Sequence, residues 1–169
     1  RPSDVNLVEL GGGRGTLMAD ILRAAKLLPE FTQTIRLHMV EASPLMRAAQ
    51  AEALGQYQPQ FHDTIATLPD GPLYLVANEF FDALPIRQFR KGRDGWHERQ
   101  IGADQGALIW GLGPVIAPDW ITARFGDMPE GAIVEVNAAA EAIASDIGRR
   151  IDAQGGAALL IDYGDWISA

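Results

Sequence analysis

The first part of the chain alternates short apolar runs with segments whose apolar residues recur at helical spacing. The run at 5–10 predicts a strand, and the spacing over 16–28 predicts a helix. The run at 35–40 predicts a second strand, and the Ser-Pro pair that opens 43–55 favours a second helix. This alternation is typical of a mostly parallel sheet covered by helices.

The middle of the chain continues this pattern and then interrupts it. A weak strand is predicted at 60–63, and the nearly continuous apolar run at 73–78 predicts a central strand buried on both faces. Over 86–102, two runs of mixed polarity surround the sequence GRDG. This pattern predicts a β-hairpin inserted into the alternating fold.

After the hairpin, the stretch 103–131 gives no clear assignment. The alternation is then expected to resume, with a strand at 132–136, a helix over 137–152 and a final strand at 157–162. Ligands of such folds gather at the carboxyl ends of the strands.

Composition narrows the class of protein. With 169 residues, of which 47% are hydrophobic, the chain is long enough for a single domain with a core. No apolar run approaches the length of a membrane span, and a net charge of −8 argues against binding nucleic acid. The lack of cysteine excludes disulfides and thiolate chemistry, and His38, His62 and His97 lack metal-ligand spacing, so no metal site is predicted. Because the chain begins almost within its first strand, we expect sequence to be missing at both ends.

A glycine-rich turn separates the first strand from the first helix. Four glycines stand within five residues there, and such a turn offers backbone N–H groups and a helix N-terminus to an anion. The dinucleotide-binding fingerprint fails because Thr16 stands where its third glycine is required. The pattern is instead Glu9 followed by Gly11, Gly13 and Gly15, which resembles the first motif of class I S-adenosylmethionine-dependent methyltransferases.

Two further acids follow predicted strands. Glu41 ends the second strand, where a carboxylate can accept both ribose hydroxyls of a nucleoside. Asp63, with His62, follows the third strand, where such folds often place a polar group near the adenine edge. The alternative for both acids is a solvated position at the end of a strand.

A third polar group closes the central strand. Asn78, Glu79 and Asp82 follow its apolar run and are expected to face the crevice above the glycine turn. A carboxylate there can accept two hydrogen bonds from a guanidinium or orient an amine.

Four blocks in this order, VELGGGRGTLMADILR, VEASPLMRAAQ, NEFFDALPIRQF and GGAALLIDYG, resemble the MidA-like family of S-adenosylmethionine-dependent methyltransferases. The resemblance implies an α/β fold of the Rossmann-like, class I methyltransferase type, with helices on both faces of a mostly parallel sheet and an inserted hairpin. It implies S-adenosyl-L-methionine as cofactor, held by Glu9, Gly11, Gly13, Gly15 and Glu41, with Asn78, Glu79 and Asp82 lining the acceptor pocket. Gly12 departs from the proline that relatives often carry, and the antiparallel pair that completes such a core is not in the sequence.

Mitochondrial members of that family resemble protein arginine methyltransferases that assist assembly of respiratory complex I. The leading hypothesis is therefore methylation of an arginine in a protein partner, in a bacterial cytoplasm or a mitochondrial matrix. Two alternatives stay open: methylation of a small molecule, and a module that binds cofactor but acts by docking a partner. The docking surface would be the hairpin, through Arg87, Arg90, Arg93 and Arg99.

Overall fold

A computed structural model describes residues 4–164. Contacts divide this part of the chain into two compact units. One contains the residues up to Leu84 together with those from Ala140 onward, and the other is Pro85–Ala139.

The first unit contains a parallel sheet. Its strands are β1 (Val5–Leu10), β2 (Ile35–Val40), β3 (Gln60–His62), β4 (Leu73–Asn78) and, late in the chain, β9 (Gly156–Ile161). They lie in the order β3-β2-β1-β4-β9, and every neighbouring pair is parallel. The chain runs outward from β1 to β3 and then crosses back to β4, so the carboxyl ends of β1 and β4 border the switch point where ligands bind in such sheets.

Helices cover both faces of this sheet, as expected for the predicted fold class. The α-helices of the described residues are α1 (Thr16–Ala25), α2 (Pro29–Thr32), α3 (Pro44–Leu54), α4 (Asp119–Phe125) and α5 (Ala138–Gln154). On one face, Met18 and Leu22 of α1 and Leu54 of α3 pack against the sheet. On the other face, Ile147 of α5 packs against strand residues that include Val8 and Leu75.

The first helix ends earlier than its apolar spacing suggests. The predicted helix over 16–28 stops at Ala25, and Leu27 and Leu28 are largely exposed. The cause is Pro29, which disfavours helical geometry at the residue before it, and Leu28 has φ −123° and ψ 77°. The proline then opens α2 from its first position.

The second unit is an antiparallel sheet with one helix. Its strands are β5 (Arg87–Lys91), β6 (Trp96–Asp104), β7 (Ala107–Ile116) and β8 (Ile133–Val136), in the order β7-β6-β5-β8. Ile121 of α4 is buried against Phe89, Trp96 and Val134, which form a core within this unit.

The predicted hairpin is confirmed as β5 and β6, but the inserted sheet is larger than 86–102. The stretch 103–131 supplies the rest of β6, all of β7 and α4. The prediction that the strand at 132–136 resumes the parallel sheet was wrong, because β8 pairs antiparallel with β5, Val134 opposite Phe89. A short apolar run indicates a strand without indicating its partner.

The turn before β9 contains a backbone contact that only glycine allows. Gly156 lies beside Leu73 at the start of β4 and has φ +122°. A Cβ atom at this position would overlap the backbone of Leu73, including its carbonyl oxygen. Glycine therefore lets β9 begin directly against β4. In residues 4–164, no helix is long and apolar enough to cross a membrane.

Candidate functional site

The glycine turn joins β1 to α1 in left-handed backbone geometry. Gly11, Gly13 and Gly15 have φ values of 60°, 53° and 81°, which glycine adopts without strain. The amide of Gly11 donates to the carbonyl of Val40 (2.9 Å), which ties the turn to the end of β2. Gly15 is the N-cap of α1 and provides no side-chain cap. The first amides of α1 are therefore available to an anionic ligand.

Glu9 lies beneath this turn and is only 2% exposed. Its Oε2 atom has no hydrogen-bond partner among the described residues. Burial raises the pKa of this carboxyl to about 7. A Cβ atom at Gly12 would lie 2.7 Å from Glu9 Oε2 and 2.7 Å from Met39 Cε. The glycine at position 12 thus allows the turn to approach the carboxyl closely.

Gln50, a residue that sequence reasoning missed, connects the turn to the second strand. It lies on α3, is completely buried, and its Nε2 donates to the carbonyl of Gly13 (2.8 Å) and to Glu41 Oε2 (3.3 Å). Its Oε1 has no partner in the described part of the chain. The available signal was a polar residue at helical spacing between Met46 and Leu54 on one face of α3.

Glu41 lies at the end of β2, half-buried, with its carboxylate held at both oxygens. Oε1 accepts a hydrogen bond from the amide of Ser43 (2.9 Å), and Oε2 accepts the bond from Gln50. Ser43 is itself the N-cap of α3. Ser43, at the start of α3, therefore fixes the orientation of Glu41. Gln50, in the middle of the same helix, reaches the glycine turn.

Asp63 and His62 occupy different environments. Asp63 is 81% exposed and pairs with Arg47 at 2.6 Å, and Arg47 also donates to the backbone carbonyl of Glu41 (2.6 Å). The His62 ring bonds instead to His38 at 3.0 Å and to the hydroxyl of Thr67, also at 3.0 Å. Asp63 is thus linked to Glu41 through one arginine, whereas the His62 side chain belongs to a network around buried His38.

The third polar group lies at the carboxyl end of β4, next to the glycine turn. Asn78, Glu79 and Asp82 are all exposed. The ring of Phe80 packs so closely on Gly11 that a Cβ atom at that glycine would lie 2.8 Å from the ring. Glu79 has a positive φ of 52°, and its amide donates to the carbonyl of Ile161 (2.7 Å). A residue other than glycine in this region is strained, and such strain clusters at functional sites.

Together these groups fit a ligand with an amino acid end and a nucleoside end. The unpartnered, buried oxygen of Glu9 suits a cationic amine, the uncapped start of α1 suits a carboxylate, and the fixed carboxylate of Glu41 suits ribose hydroxyls. Among residues 4–164, no group of three or more His, Asp or Glu side chains is placed to hold a metal ion.

Comparison with known proteins identifies the family of this chain. Residues 1–168 match a family model described as "Putative S-adenosyl-L-methionine-dependent methyltransferase". The chain is 34% identical to the mitochondrial protein arginine methyltransferase NDUFAF7 of Xenopus tropicalis over 191 residues, covering 97% of this chain and 44% of that protein. It is 31% identical to the human protein of the same name, over 94% of this chain and 42% of that protein. The chain therefore spans less than half the length of these relatives.

A solved structure shows the same fold with a ligand. The chain resembles a COG1565 superfamily protein from Burkholderia thailandensis bound to S-adenosyl-homocysteine, with a TM-score of 0.74 and 29% identity over 96% of this chain and 42% of that one. By its sequence and its fold, the chain belongs to this family of S-adenosyl-L-methionine-dependent methyltransferases.

Proposed function

We propose that this chain contributes the cofactor-binding part of an enzyme that methylates an arginine side chain of a protein partner. The observation that carries the proposal is the placement of Glu79, strained and exposed, beside a glycine turn linked through Gln50 to Glu41. The names of the relatives, protein arginine methyltransferases, support arginine as the acceptor.

On the cofactor side, each residue has a separate task. Glu9 would bind the amine of S-adenosyl-L-methionine, the amides at the start of α1 its carboxylate, and Glu41 its ribose. Bound there, the cofactor supplies a methyl group on an electrophilic sulfonium. The chain's own contribution is to hold the ligand in one orientation, which can supply about 7–11 kcal/mol of the barrier.

On the acceptor side, Glu79 would accept hydrogen bonds from the guanidinium of the substrate. A carboxylate in that position orients the guanidinium and increases the electron density on the attacking nitrogen. It need not be a strong base, because the nitrogen loses its proton readily once it is methylated. Asn78 and Asp82 would line the same pocket as further hydrogen-bond partners.

Replacing Glu79 with glutamine tests this assignment. Glu79→Gln should reduce methyl transfer to a protein acceptor by about 100-fold or more, while affinity for S-adenosylhomocysteine stays within about twofold. The matched control is Glu52→Gln, because Glu52 is an exposed acid on α3. Turnover equal to the unmodified protein would remove Glu79 from the mechanism.

The product assay separates the remaining possibilities. Methyl groups recovered on arginine of a protein would support the proposal, and methyl groups recovered only on a small molecule would contradict it. Cofactor binding without turnover on either acceptor would instead favour the docking module. The names of the relatives support a mitochondrial location for a eukaryotic source. The matrix, a role in respiratory complex assembly and, for a bacterial source, the cytoplasm are our expectations from the family resemblance.

A further inference from the structure

The second unit carries a groove on the face of its sheet that α4 does not cover. Side chains alternate along a strand, so Arg90 and Ile133 lie on the opposite face from their neighbours Phe89 and Val134, which pack under α4. The groove has a volume of about 510 Å³, and it is lined by Arg90, Arg99, Trp110, Gly111, Leu112, Gly131 and Ile133. All of these residues belong to the second unit.

Carboxylate pairing divides the arginines of the β5–β6 hairpin into two groups. Arg87 pairs with Glu98 at 2.7 Å, and Arg93 pairs with Glu130 at 3.2 Å. Neither Arg90 nor Arg99 has a carboxylate partner within residues 4–164, and these are the two arginines that line the groove.

The guanidinium of Arg99 is held in place without being neutralised. It donates to the side-chain oxygen of Gln88 (2.7 Å) and lies 4.2 Å from the ring centre of Trp110. Glu135, on β8, accepts a hydrogen bond from the side-chain amide of Gln88 (2.6 Å) and, among the described residues, makes no ion pair with Arg99. Two positive charges therefore face the groove in a protein whose net charge is −8.

The remaining lining is apolar and exposed. Trp110 is 61% exposed, Leu112 49% and Ile133 47%. Within residues 4–164, Trp110 and Leu112 lie on β7, an edge strand of the sheet, which leaves backbone groups unpaired along one side. Such an edge can accept a further extended strand, with side-chain specificity supplied by neighbouring pockets.

We propose that this groove docks an extended acidic segment of a partner protein. Carboxylates of the segment bind Arg90 and Arg99, and an apolar side chain packs on Trp110 and Leu112. Arg99, already oriented by Gln88 and Trp110, loses little freedom when it binds a carboxylate. The proposal does not depend on methyl transfer, because every residue involved lies outside the cofactor site.

Binding of a short fluorescent peptide that alternates glutamate and leucine tests the proposal, with an alternating lysine and leucine peptide for comparison. The glutamate peptide should bind, and its affinity should fall as salt is added. Arg90→Glu and Arg99→Glu should each weaken binding by about tenfold or more, because each removes a charge-assisted contact and adds repulsion. The matched control is Arg93→Glu, which makes the same change of charge at a paired arginine and should alter affinity by less than about twofold.

Thermal unfolding shows whether each variant is folded, and Arg90→Gln, a mild change at an exposed position, provides a second test at that site. Equal weakening by Arg93→Glu would overturn the proposal in favour of a general effect of net charge. Equal binding of the lysine peptide would contradict the proposal, because binding would then depend on apolar contacts and not on charge. Failure of the glutamate peptide to bind would also contradict it. Sedimentation that shows a dimer lost in Arg99→Glu would assign the face to a second copy of the chain instead.

Discussion

Gln50 shows how one buried amide can connect two parts of a binding site. Its Nε2 donates both to the glycine turn, at Gly13, and to the carboxylate of Glu41, while its Oε1 stays without a partner in the described structure. An unsatisfied buried oxygen costs free energy in the ligand-free protein, which is typical of a side chain placed for a binding site and not for packing alone. We therefore regard Gln50 as a positioning residue that fixes Glu41 relative to the turn.

Replacing Gln50 with leucine should weaken binding of S-adenosylhomocysteine by about tenfold to 100-fold, because both hydrogen bonds are lost at similar volume. Calorimetric titration measures this change, and Gln56→Leu, at an exposed glutamine just after α3, is the matched control.

A purely structural role is distinguished by comparing adenosine with its 2′,3′-dideoxy analogue. If Gln50 orients Glu41 toward the ribose, Gln50→Leu and Glu41→Ala should both reduce the preference for adenosine. An unchanged preference in Gln50→Leu, with both ligands weakened equally, would show that Gln50 only supports the fold.

At the scale of elements, the sequence predicted the first unit well because its strands and helices alternate with clear patterns. The bounds of β1, β2 and β4 match the predicted apolar runs. The carboxyl ends of these strands carry the glycine turn, Glu41 and residues 78–82, as predicted. Gln50 was missed because its helical spacing between Met46 and Leu54 indicates burial without indicating its partner, the carbonyl of Gly13, which is 37 residues away.

The second unit was predicted only at its hairpin. Its other strands pair across long separations, as when β8 joins β5, and such pairings have no short-range signal. The exposure of Trp110 and Leu112 adds to the difficulty, because an apolar run on an edge strand resembles a buried one in sequence.

The parallel sheet has a buried cluster on each face and the antiparallel sheet has a separate one, so each sheet should respond to its own core substitution. Phe89→Ala removes a fully buried ring beside Ile121 and should destabilise the second unit by about 3–5 kcal/mol. Hydrogen exchange should then quicken in β5, β6 and β8 more than in β1 and β4.

Met18→Ala is the reciprocal control, because Met18 is fully buried in the cluster between α1 and the parallel sheet. It should loosen β1 and β4 first. Equal acceleration of exchange in both sheets by either substitution would show that the two clusters unfold as one cooperative unit.

At the scale of the whole molecule, two buried groups give stability opposite dependences on pH. Burial raises the pKa of Glu9 to about 7, and burial, with smaller contributions from His62 and Arg36, lowers the pKa of His38 to about 4. Between pH 4.5 and 7, the folded state holds a proton on Glu9 that the unfolded state has released, so this group favours folding less as pH rises. His38 does the reverse: below its ordinary value of 6.5 the unfolded state takes up a proton first, so stability rises with pH from about 4 to 6.5.

Glu9→Gln should expose the contribution of His38. At pH 4.5 the variant should resemble the unmodified protein, since Glu9 is protonated there in the folded state, and by pH 7 it should be more stable by about 3 kcal/mol. Chemical denaturation across this range measures the difference. A constant difference at every pH would show that the Glu9 carboxyl titrates normally.

Gly156 has a consequence for how substitutions across this chain are interpreted. Its Cβ-free backbone lies against Leu73 at the amino end of β4, whereas the glycine turn lies at the carboxyl end of β1. In a survey of random variants scored by activity, substitutions at Gly156 should therefore be as poorly tolerated as substitutions at Gly11 or Gly15. Loss of activity alone would then place Gly156 among the ligand-binding positions, and only a parallel score for protein abundance would reveal that it acts by allowing two strands to meet.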